Sequence, residues 1–346
     1  MATIQAQDIP DLVAGTLREL GRMRIQNVAQ ELTEYHVFPT WFKKDKVQYN
    51  DGYGIQKNLL VKAVGNARHV GLYENDQTNI EDVIDQLRVD WVHIDASWSI
   101  TYQTDILMNR GASRIVDIVK ARRASAMLDF IDELERKAFY APGATETKLP
   151  YGLPYWIVKN ASQGYHGGYP TGHTTIGGVN LSTVPKFKNW TDTYSAVSKV
   201  DLAKKLRRTA IKVNYRSPIK IDDYMNGAGA RYRHYVNDET YLSVTDIGEG
   251  QNENLGRDIA SMDGVVVFHK HPIINIPILN EDTTNPWYFV DNATFYPVVL
   301  KGNWMKETEA IRSPNNRNVY NVYTQGSYNY LCLDRRRNAV LYYVAP

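Results

Sequence analysis

The chain has 346 residues, 43% of them hydrophobic, which is enough to bury a substantial core in two or three compact units. Its 40 lysines and arginines against 38 aspartates and glutamates leave a formal net charge of +2, which excludes a strong overall basic field directed at nucleic acid. A single cysteine, Cys332, excludes an internal disulfide framework.

The first predicted elements are an extended arm and a ribbon. Apolar residues at mixed helical spacing in residues 12–32, broken by glycines, predict a helical but extended arm. Residues 89–103 alternate apolar and polar side chains, which predicts a strand that could pair with the apolar run 59–73 across polar residues 74–86. Because an isolated two-stranded ribbon is marginal in water, we expect it to lie on a second chain or a neighbouring surface.

A long helix is predicted over residues 104–141, where apolar residues recur at steps of three, four and seven without an intervening proline. At 1.5 Å per residue it would reach roughly 50 Å and would organise the whole fold. A second helix is predicted over residues 198–215. Short strands are predicted at residues 241–245, 264–269, 295–300, 328–333 and 339–344, the last two joined by a turn. Without a βαβ repeat, this pattern indicates the α+β class.

Motifs for nucleotide binding and nucleophilic catalysis are absent from the sequence. There is no strand-linked Gly-x-Gly-x-x-Gly, no Walker A lysine motif and no Gly-x-Ser-x-Gly elbow. Cys332 lies among apolar residues, so we expect a buried and inert thiol. His269 and His271 supply only two of the ligands that a metal needs, and His166 and His173 are better explained as hydrogen-bonding residues of a loop.

Charged clusters have similarly plain interpretations. Four carboxylates crowd the end of the long helix: Asp129, Asp132, Glu133 and Glu135. A carboxylate pair can perform acid–base catalysis, but charges at helical spacing beside arginines are more typical of an ion-paired face. The basic clusters at 204–208 and 335–337 could contact phosphate without specificity. With 24 tyrosines and 7 tryptophans, the chain is rich in interface-forming side chains and poor in catalytic ones.

The glycine-rich segment 164–180, GYHGGYPTGHTTIGGVN, joins these features to a known family. Together with residues 150–156, PYGLPYW, and 185–190, PKFKNW, it resembles a signature of tailed-phage major capsid proteins with the Hong-Kong-97-type coat fold. Residues 331–341, LCLDRRRNAVL, are similar to the closing segment of such coats.

The resemblance implies an α+β capsid fold with an N-terminal arm, an extended β-ribbon (the E-loop), a long spine helix in a P-domain, and a central A-domain. The implied divisions are an arm at 1–40, the ribbon at 41–103, the P-domain with the spine helix at 104–150, the A-domain at 151–310, and return strands of the P-domain at 311–346. Twelve residues are candidates for inter-subunit contact or loop structure: Tyr165, Gly167, Gly168, Tyr169, Pro170, Gly172, Gly177, Gly178, Asn180, Trp190, Trp91 and Trp98.

The implied function is that of a major capsid protein, a non-enzymatic virion component without cofactor or metal. Hexamers and pentamers of the chain would assemble in the host bacterial cytoplasm into an icosahedral or prolate head around double-stranded DNA. Expected partners are further copies of the chain, a separate scaffolding protein, the portal, a possible decoration protein and, without specificity, the packaged DNA; no membrane contact is expected.

Three further expectations accompany this interpretation. An encapsulin-type compartment around an enzyme cargo is the alternative in the same fold, and a polysaccharide-cleaving enzyme is the alternative outside it. Some members of the family form an isopeptide bond between a ribbon lysine and a C-terminal asparagine. Lys57 or Lys62 could supply the lysine here. The asparagine could be Asn315, Asn316, Asn318, Asn321, Asn329 or Asn338, but we expect no crosslink in this chain.

Overall fold

The computed structural model describes residues 32, 34–42, 48–62, 64–72, 74–75, 79–80, 82–102, 112–214, 232–249, 266–269 and 271–345. Most of the predicted arm and the start of the predicted long helix lie outside these described residues. Within them, none of the helices has the combination of length and apolar character that crossing a membrane requires.

Five α-helices occur in the described part of the chain. They are α1 (Val37–Trp41), α2 (Ala112–Ala138), α3 (Leu153–Trp156), α4 (Leu202–Val213) and α5 (Asp238–Glu249). Helix α2, 27 residues long, confirms the predicted long helix over its described part, and α4 confirms the second prediction. The strand predicted at 241–245 is wrong, since these residues belong to α5. Tyr241 and Val244 point to the core at helical spacing, and Asp238 and Glu239 favour the helix N-terminus.

A six-stranded sheet is organised around one long strand. Its members are β1 (Gln48–Asn50), β4 (Val92–Thr101), β10 (Phe295–Leu300), β11 (Lys306–Glu307), β12 (Ile311–Arg312) and β13 (Val319–Cys332). Strand β13 pairs antiparallel with β4 at one end and with β10 at the other, and β1 runs parallel to β10. Trp98 and Ile100 of β4 pack with Val119 and Ala126 of α2, so the long helix covers this sheet.

A second six-stranded sheet follows the order β5-β14-β9-β6-β8-β7. Its strands are β5 (Trp190–Tyr194), β6 (Tyr232–Val236), β7 (Val267–Phe268), β8 (His271–Asn275), β9 (Trp287–Asp291) and β14 (Ala339–Tyr343). One face packs into the main core with α2 and the first sheet through residues such as Tyr235, Tyr288 and Val340. Helices α4 and α5 cover the other face.

The ribbon is built from different strands than the sequence indicated. Strands β2 (Gly54–Leu60) and β3 (Ile84–Asp90) pair antiparallel, whereas residues 92–101 pair with β13 and not with residues 59–73. The predicted strand is therefore confirmed over residues 92–101, but its predicted partner is wrong. Its alternating apolar face has to be covered by α2, which requires β4 to lie in the first sheet.

The C-terminal strands are confirmed as strands, but they lie in two different sheets. Strand β13 lies in the first sheet and β14 in the second, where it runs parallel to β5 and antiparallel to β9. Residues 339–341 are all buried, as in a central strand covered on both faces. The 3₁₀ helix Arg335–Arg337 redirects the chain between the sheets, and the Asp334 carboxylate accepts from the Arg336 backbone N–H.

Candidate functional site

The glycine-rich loop closes around the guanidinium of Arg335, which is completely buried. Its Nε donates to the carbonyl oxygen of Trp156 at 2.6 Å and its Nη1 to that of Phe187 at 2.9 Å. Its Nη2 donates to the carbonyl oxygen of Gly168 at 3.0 Å and to Oδ1 of Asn189 at 2.9 Å. The carbonyl oxygen of Gly167 also accepts from Nη2, at 3.4 Å. All these acceptors are neutral, and burial lowers the pKa of Arg335 to about 10. Because these oxygens replace the water around the charge, the loop conformation and the buried guanidinium depend on each other.

Asn189 is the second fixed point of the loop. Its Oδ1 also accepts from the N–H of Val158 at 3.1 Å, and its Nδ2 donates to the carbonyl of Val158 at 3.0 Å. Gly167 lies against this amide so closely that an added Cβ would be 1.8 Å from Oδ1 of Asn189. At Gly168 the nearest atom to an added Cβ is 4.0 Å away. Close approach therefore requires glycine at position 167 but not at 168.

Gly177 joins the loop to the base of the ribbon. Its φ is +56°, a left-handed conformation that favours glycine. Its carbonyl accepts from the N–H of Arg88 on β3 at 2.8 Å, and its N–H donates to the hydroxyl of Tyr155 at 3.2 Å. An added Cβ would lie 2.7 Å from the ring of Trp156 and 2.8 Å from Leu87. The loop thus fixes the position of β3 at the end where the ribbon leaves the core.

The two tyrosines of the loop use their hydroxyl groups within the subunit. Tyr169 donates to Oδ1 of Asn180 at 2.8 Å and accepts from the N–H of Leu181 at 2.7 Å, which closes the loop on itself. Tyr165 donates to the carbonyl of Lys212 at 2.7 Å, which ties the loop to the last turn of α4. His173 is a loop hydrogen-bonding residue as expected, since its Nε2 lies 2.9 Å from the carbonyl oxygen of Pro142.

The predicted site residues differ in exposure, and this limits what each can contact. Pro170, Trp98 and Trp190 are buried inside the subunit, and Trp91 is partly buried and donates to the carbonyl of Gly52 at 2.8 Å. Four loop residues reach the surface: Tyr165, Gly172, Gly178 and Asn180. Contact with another chain stays a prediction for these four.

The ribbon carries an unusual amount of exposed apolar surface. Leu60 and Ile84 face each other across β2 and β3 and are both exposed. Beyond them, Leu72 is 96% exposed and Ile80 is 98% exposed. Burial of each such side chain would stabilise a contact by about 1.5–3 kcal/mol. Exposed apolar side chains gathered in one element are typical of an interaction site.

Glu135 has a role that the sequence analysis missed. Its carboxylate accepts from the backbone N–H groups of His36 and Val37 at 2.8 Å, and it thereby holds the start of α1 against α2. Burial raises the pKa of Glu135 to about 7, although these hydrogen bonds favour the charged form. Its neighbours behave as expected for a charged helix face, because Asp132 pairs with Arg136 at 2.6 Å. The available signal was its position between Ile131 and Ala138, within the apolar stripe of α2.

A second missed residue, His234, is completely buried in β6. Trp287 Nε1 donates to His234 Nδ1 at 2.9 Å, so the neutral ring carries its proton on Nε2. Burial lowers the pKa of His234 to about 3. The ring of His271 lies 6.3 Å away, centroid to centroid, but the described residues contain no group of three or more metal-binding side chains. Cys332 is buried, as expected, and burial raises the pKa of its thiol.

Comparisons with known proteins give a result at the level of structure only. No protein-family model matches the chain, and no curated protein matches it. Among solved structures, the capsid asymmetric unit of cyanophage A-1(L) is similar with a TM-score of 0.64 at 13% identity, covering 92% of this chain and 95% of that chain.

Two further capsid structures match over nearly their whole length. The capsid of a native GTA particle has a TM-score of 0.58 at 13% identity and covers 94% of this chain and 96% of that chain. The capsid of the Myoviridae phage XM1 has a TM-score of 0.55 at 12% identity and covers 99% of both chains. Over nearly its whole length, this chain therefore has the fold of these capsid structures.

Proposed function

We propose that this chain is the major capsid protein of a tailed bacteriophage, and that hexamers and pentamers of it form the head around double-stranded DNA. The observation that carries the proposal is the near-complete coverage of both partners in the structural matches, 99% of each chain for phage XM1. A shared building block inside a larger unrelated protein would leave much of one chain unmatched. The matched particles give no support to an enzyme-loaded compartment.

The proposed organisation follows the Hong-Kong-97-type plan, with an arm at 1–40, a ribbon formed by β2 and β3 within residues 41–103, and the spine helix α2 in the P-domain. The ribbon would lie on a neighbouring subunit. Its exposed apolar residues support this role, because Leu72 and Ile80 have almost no cover within their own chain. The chain passes between the two sheets from β9 to β10 and again from β13 to β14, so the proposed P-domain and A-domain share their core rather than meeting at a linker.

We propose a shell without covalent crosslinks between subunits. Two of the C-terminal asparagines considered as partners for a ribbon lysine are engaged inside the subunit. Asn329 is buried and its Nδ2 donates to the carbonyl of Asp90 at 2.8 Å. Asn338 is buried and its Oδ1 accepts from the N–H of Asp291 at 2.8 Å. Heating assembled particles in denaturant should release a single band of monomer mass, and a ladder of multiples would contradict this part of the proposal.

Expected partners are a separate scaffolding protein, the portal and possible decoration proteins, all carried over from the resemblance. DNA contact would be nonspecific and local, since the net charge of the chain is only +2.

The decisive experiment is electron microscopy of the expressed chain after fractionation by size, with and without a candidate scaffolding protein from the same genome. Rings of capsomer size or closed shells are the expected result, and mass measurement of the rings should give hexamers or pentamers. A chain with Leu72→Asp and Ile80→Asp tests the role of the ribbon. It should fold but assemble poorly, because each charge would be buried under a neighbouring subunit. A monodisperse monomer from the unaltered chain under all conditions would refute the proposal.

A further inference from the structure

Helices α4 and α5 lie on the same face of the second sheet, at opposite sides of it. Leu206 of α4 and Val244 of α5 belong to one apolar cluster with Trp287 of β9. Helix α4 packs on β5 and helix α5 packs on β8, and these two strands are four positions apart in the sheet order. At about 4.8 Å per strand the separation is roughly 19 Å, so each helix has an outward surface of its own.

The two helices carry opposite charge without exception. Helix α4 contains five basic residues and no acidic one, and helix α5 contains four acidic residues and no basic one. The basic surface consists of the exposed residues Lys204, Arg207, Arg208, Ile211 and Lys212. The acidic surface consists of the exposed residues Glu239, Leu242 and Asp246.

The outward charges have no counter-charge within the described part of the subunit. Lys205, on the inner side of α4, pairs with Asp201 at 2.6 Å. Arg207 and Arg208 on the basic surface, and Glu239 and Asp246 on the acidic one, form no ion pair with any residue that the structure describes. Like charges held together on a helix repel one another, so each surface gains from an oppositely charged partner.

Both surfaces also carry an apolar residue among the charges. Ile211 is 77% exposed on α4, and Leu242 is 64% exposed on α5. A surface that served only the phosphate backbone of DNA would gain nothing from these side chains, whereas protein interfaces combine an apolar centre with a charged rim. The apolar residues therefore favour a protein partner for both surfaces.

We infer that the basic surface on α4 of one subunit binds the acidic surface on α5 of a second copy of this chain. The inference rests on the proposed function and names the contact that joins neighbouring subunits in a ring. Because the two surfaces differ, the contact is head-to-tail. A repeated head-to-tail contact closes into rings such as pentamers and hexamers where the rotation between neighbours divides a full turn evenly. Opposite charges at the rim would speed association and reject the wrong orientation.

Charge reversal tests the pairing directly. Arg207→Glu with Arg208→Glu should lower the yield of rings on the order of tenfold, and so should Glu239→Lys with Asp246→Lys, because each puts like charges into contact. The chain with all four substitutions should recover rings, since the charges are exchanged and remain complementary. The control for the arginine reversal, Lys148→Glu with Lys186→Glu, makes the same change in net charge at exposed loop positions and should assemble normally.

Cysteine pairing gives a second test that does not depend on charge. Ile211→Cys with Leu242→Cys should form, on mild oxidation of rings, a disulfide ladder up to the full ring, whereas either single substitution should form none. Cys332 does not interfere because it is buried. Ladders from a single substitution would indicate a two-fold contact and overturn the inference.

The outcomes separate the inference from the proposed function. If the unaltered chain forms no rings or shells, the proposed function fails. If it assembles and the reversed chains assemble equally well with a normal thermal unfolding profile, the inference alone is overturned. The inference is also overturned if the Arg207 and Arg208 reversal leaves assembly intact and lowers only the DNA content of particles, because the basic surface would then serve nucleic acid.

Discussion

Replacement of His234 with asparagine removes a buried titratable group while keeping its hydrogen bond. The ring accepts from Trp287 through Nδ1, and an asparagine Oδ1 can occupy nearly the same place. A protonated imidazole cannot accept a hydrogen bond, so protonation of His234 in the folded chain would remove the partner of Trp287 and bury a charge in apolar surroundings. The folded state therefore holds this histidine neutral.

The size of the effect follows from the difference in pKa. The pKa of His234 is lowered from an ordinary value of 6.5 to about 3, so between these values the unfolded chain binds a proton that the folded chain does not. The free energy of unfolding is therefore unaffected by His234 above pH 6.5, the ordinary pKa, and falls as the pH drops from there towards about 3, the pKa in the folded chain. At about pH 5, protonation of the unfolded chain increases the equilibrium constant for unfolding by a factor of about 30. This corresponds to a loss of about 2 kcal/mol in the free energy of unfolding relative to pH 8.

The measurement is urea unfolding of the unassembled subunit, followed by tryptophan fluorescence, for both chains at the two pH values. The unaltered chain should lose about 2 kcal/mol more than His234→Asn between pH 8 and pH 5. Other titrating groups are common to both chains and cancel in the difference. Equal losses in the two chains would refute the reasoning.

Three further predictions concern the loop and the arm. Gly167→Ala should destabilise the fold by about 1–3 kcal/mol or more, since its Cβ would overlap the side chain of Asn189, whereas Gly168→Ala should be nearly neutral. Thermal unfolding of the two variants measures the difference. Equal effects would contradict the packing argument. Arg335→Met should cost about 3–5 kcal/mol and make the loop sensitive to limited proteolysis, because buried carbonyls lose their donor; unchanged cleavage would count against it. Glu135→Gln keeps a hydrogen-bond acceptor but cannot titrate. Because the pKa of Glu135 is raised from 4.5 to about 7, the unaltered chain should lose about 2.5 kcal/mol more of its free energy of unfolding than Glu135→Gln as the pH rises from about 5 to 8. Identical shifts of the urea midpoint in the two chains would exclude this.

Local patterns predicted the elements well where one face had to be buried. The period of the long helix and the alternation in residues 92–101 both reflect packing of α2 against the first sheet, so the sequence carries them directly. The segment at 241–245 was predicted as a strand because five residues are too few to distinguish the period of a strand from that of a helix. Its helical face is defined by packing, since Val244 lies in the same apolar cluster as Trp287.

The strand pairing and the burial of charged residues could not be predicted from the sequence, for a different reason. The partner of β4 is β13, more than two hundred residues away in the chain, and alternation states which face is apolar but not which strand lies alongside. Arg335 stood in a run of three arginines that suggested a basic surface, yet it is fully buried. Nothing local distinguishes it from the partly exposed Arg336, because its acceptors come from the loop and from the segment around Trp156.

The position of β14 in the middle of the second sheet also sets an order of events during synthesis. Strand β5 at residues 190–194 and strand β9 at residues 287–291 have β14, residues 339–343, between them as their common neighbour. Until that segment has left the ribosome, β5 lacks its partner strand and the loop lacks Arg335. The sheet under α4 and α5 is therefore completed only after β14 has been synthesised, and under the proposed function a nascent chain would be unable to join its neighbours before that point.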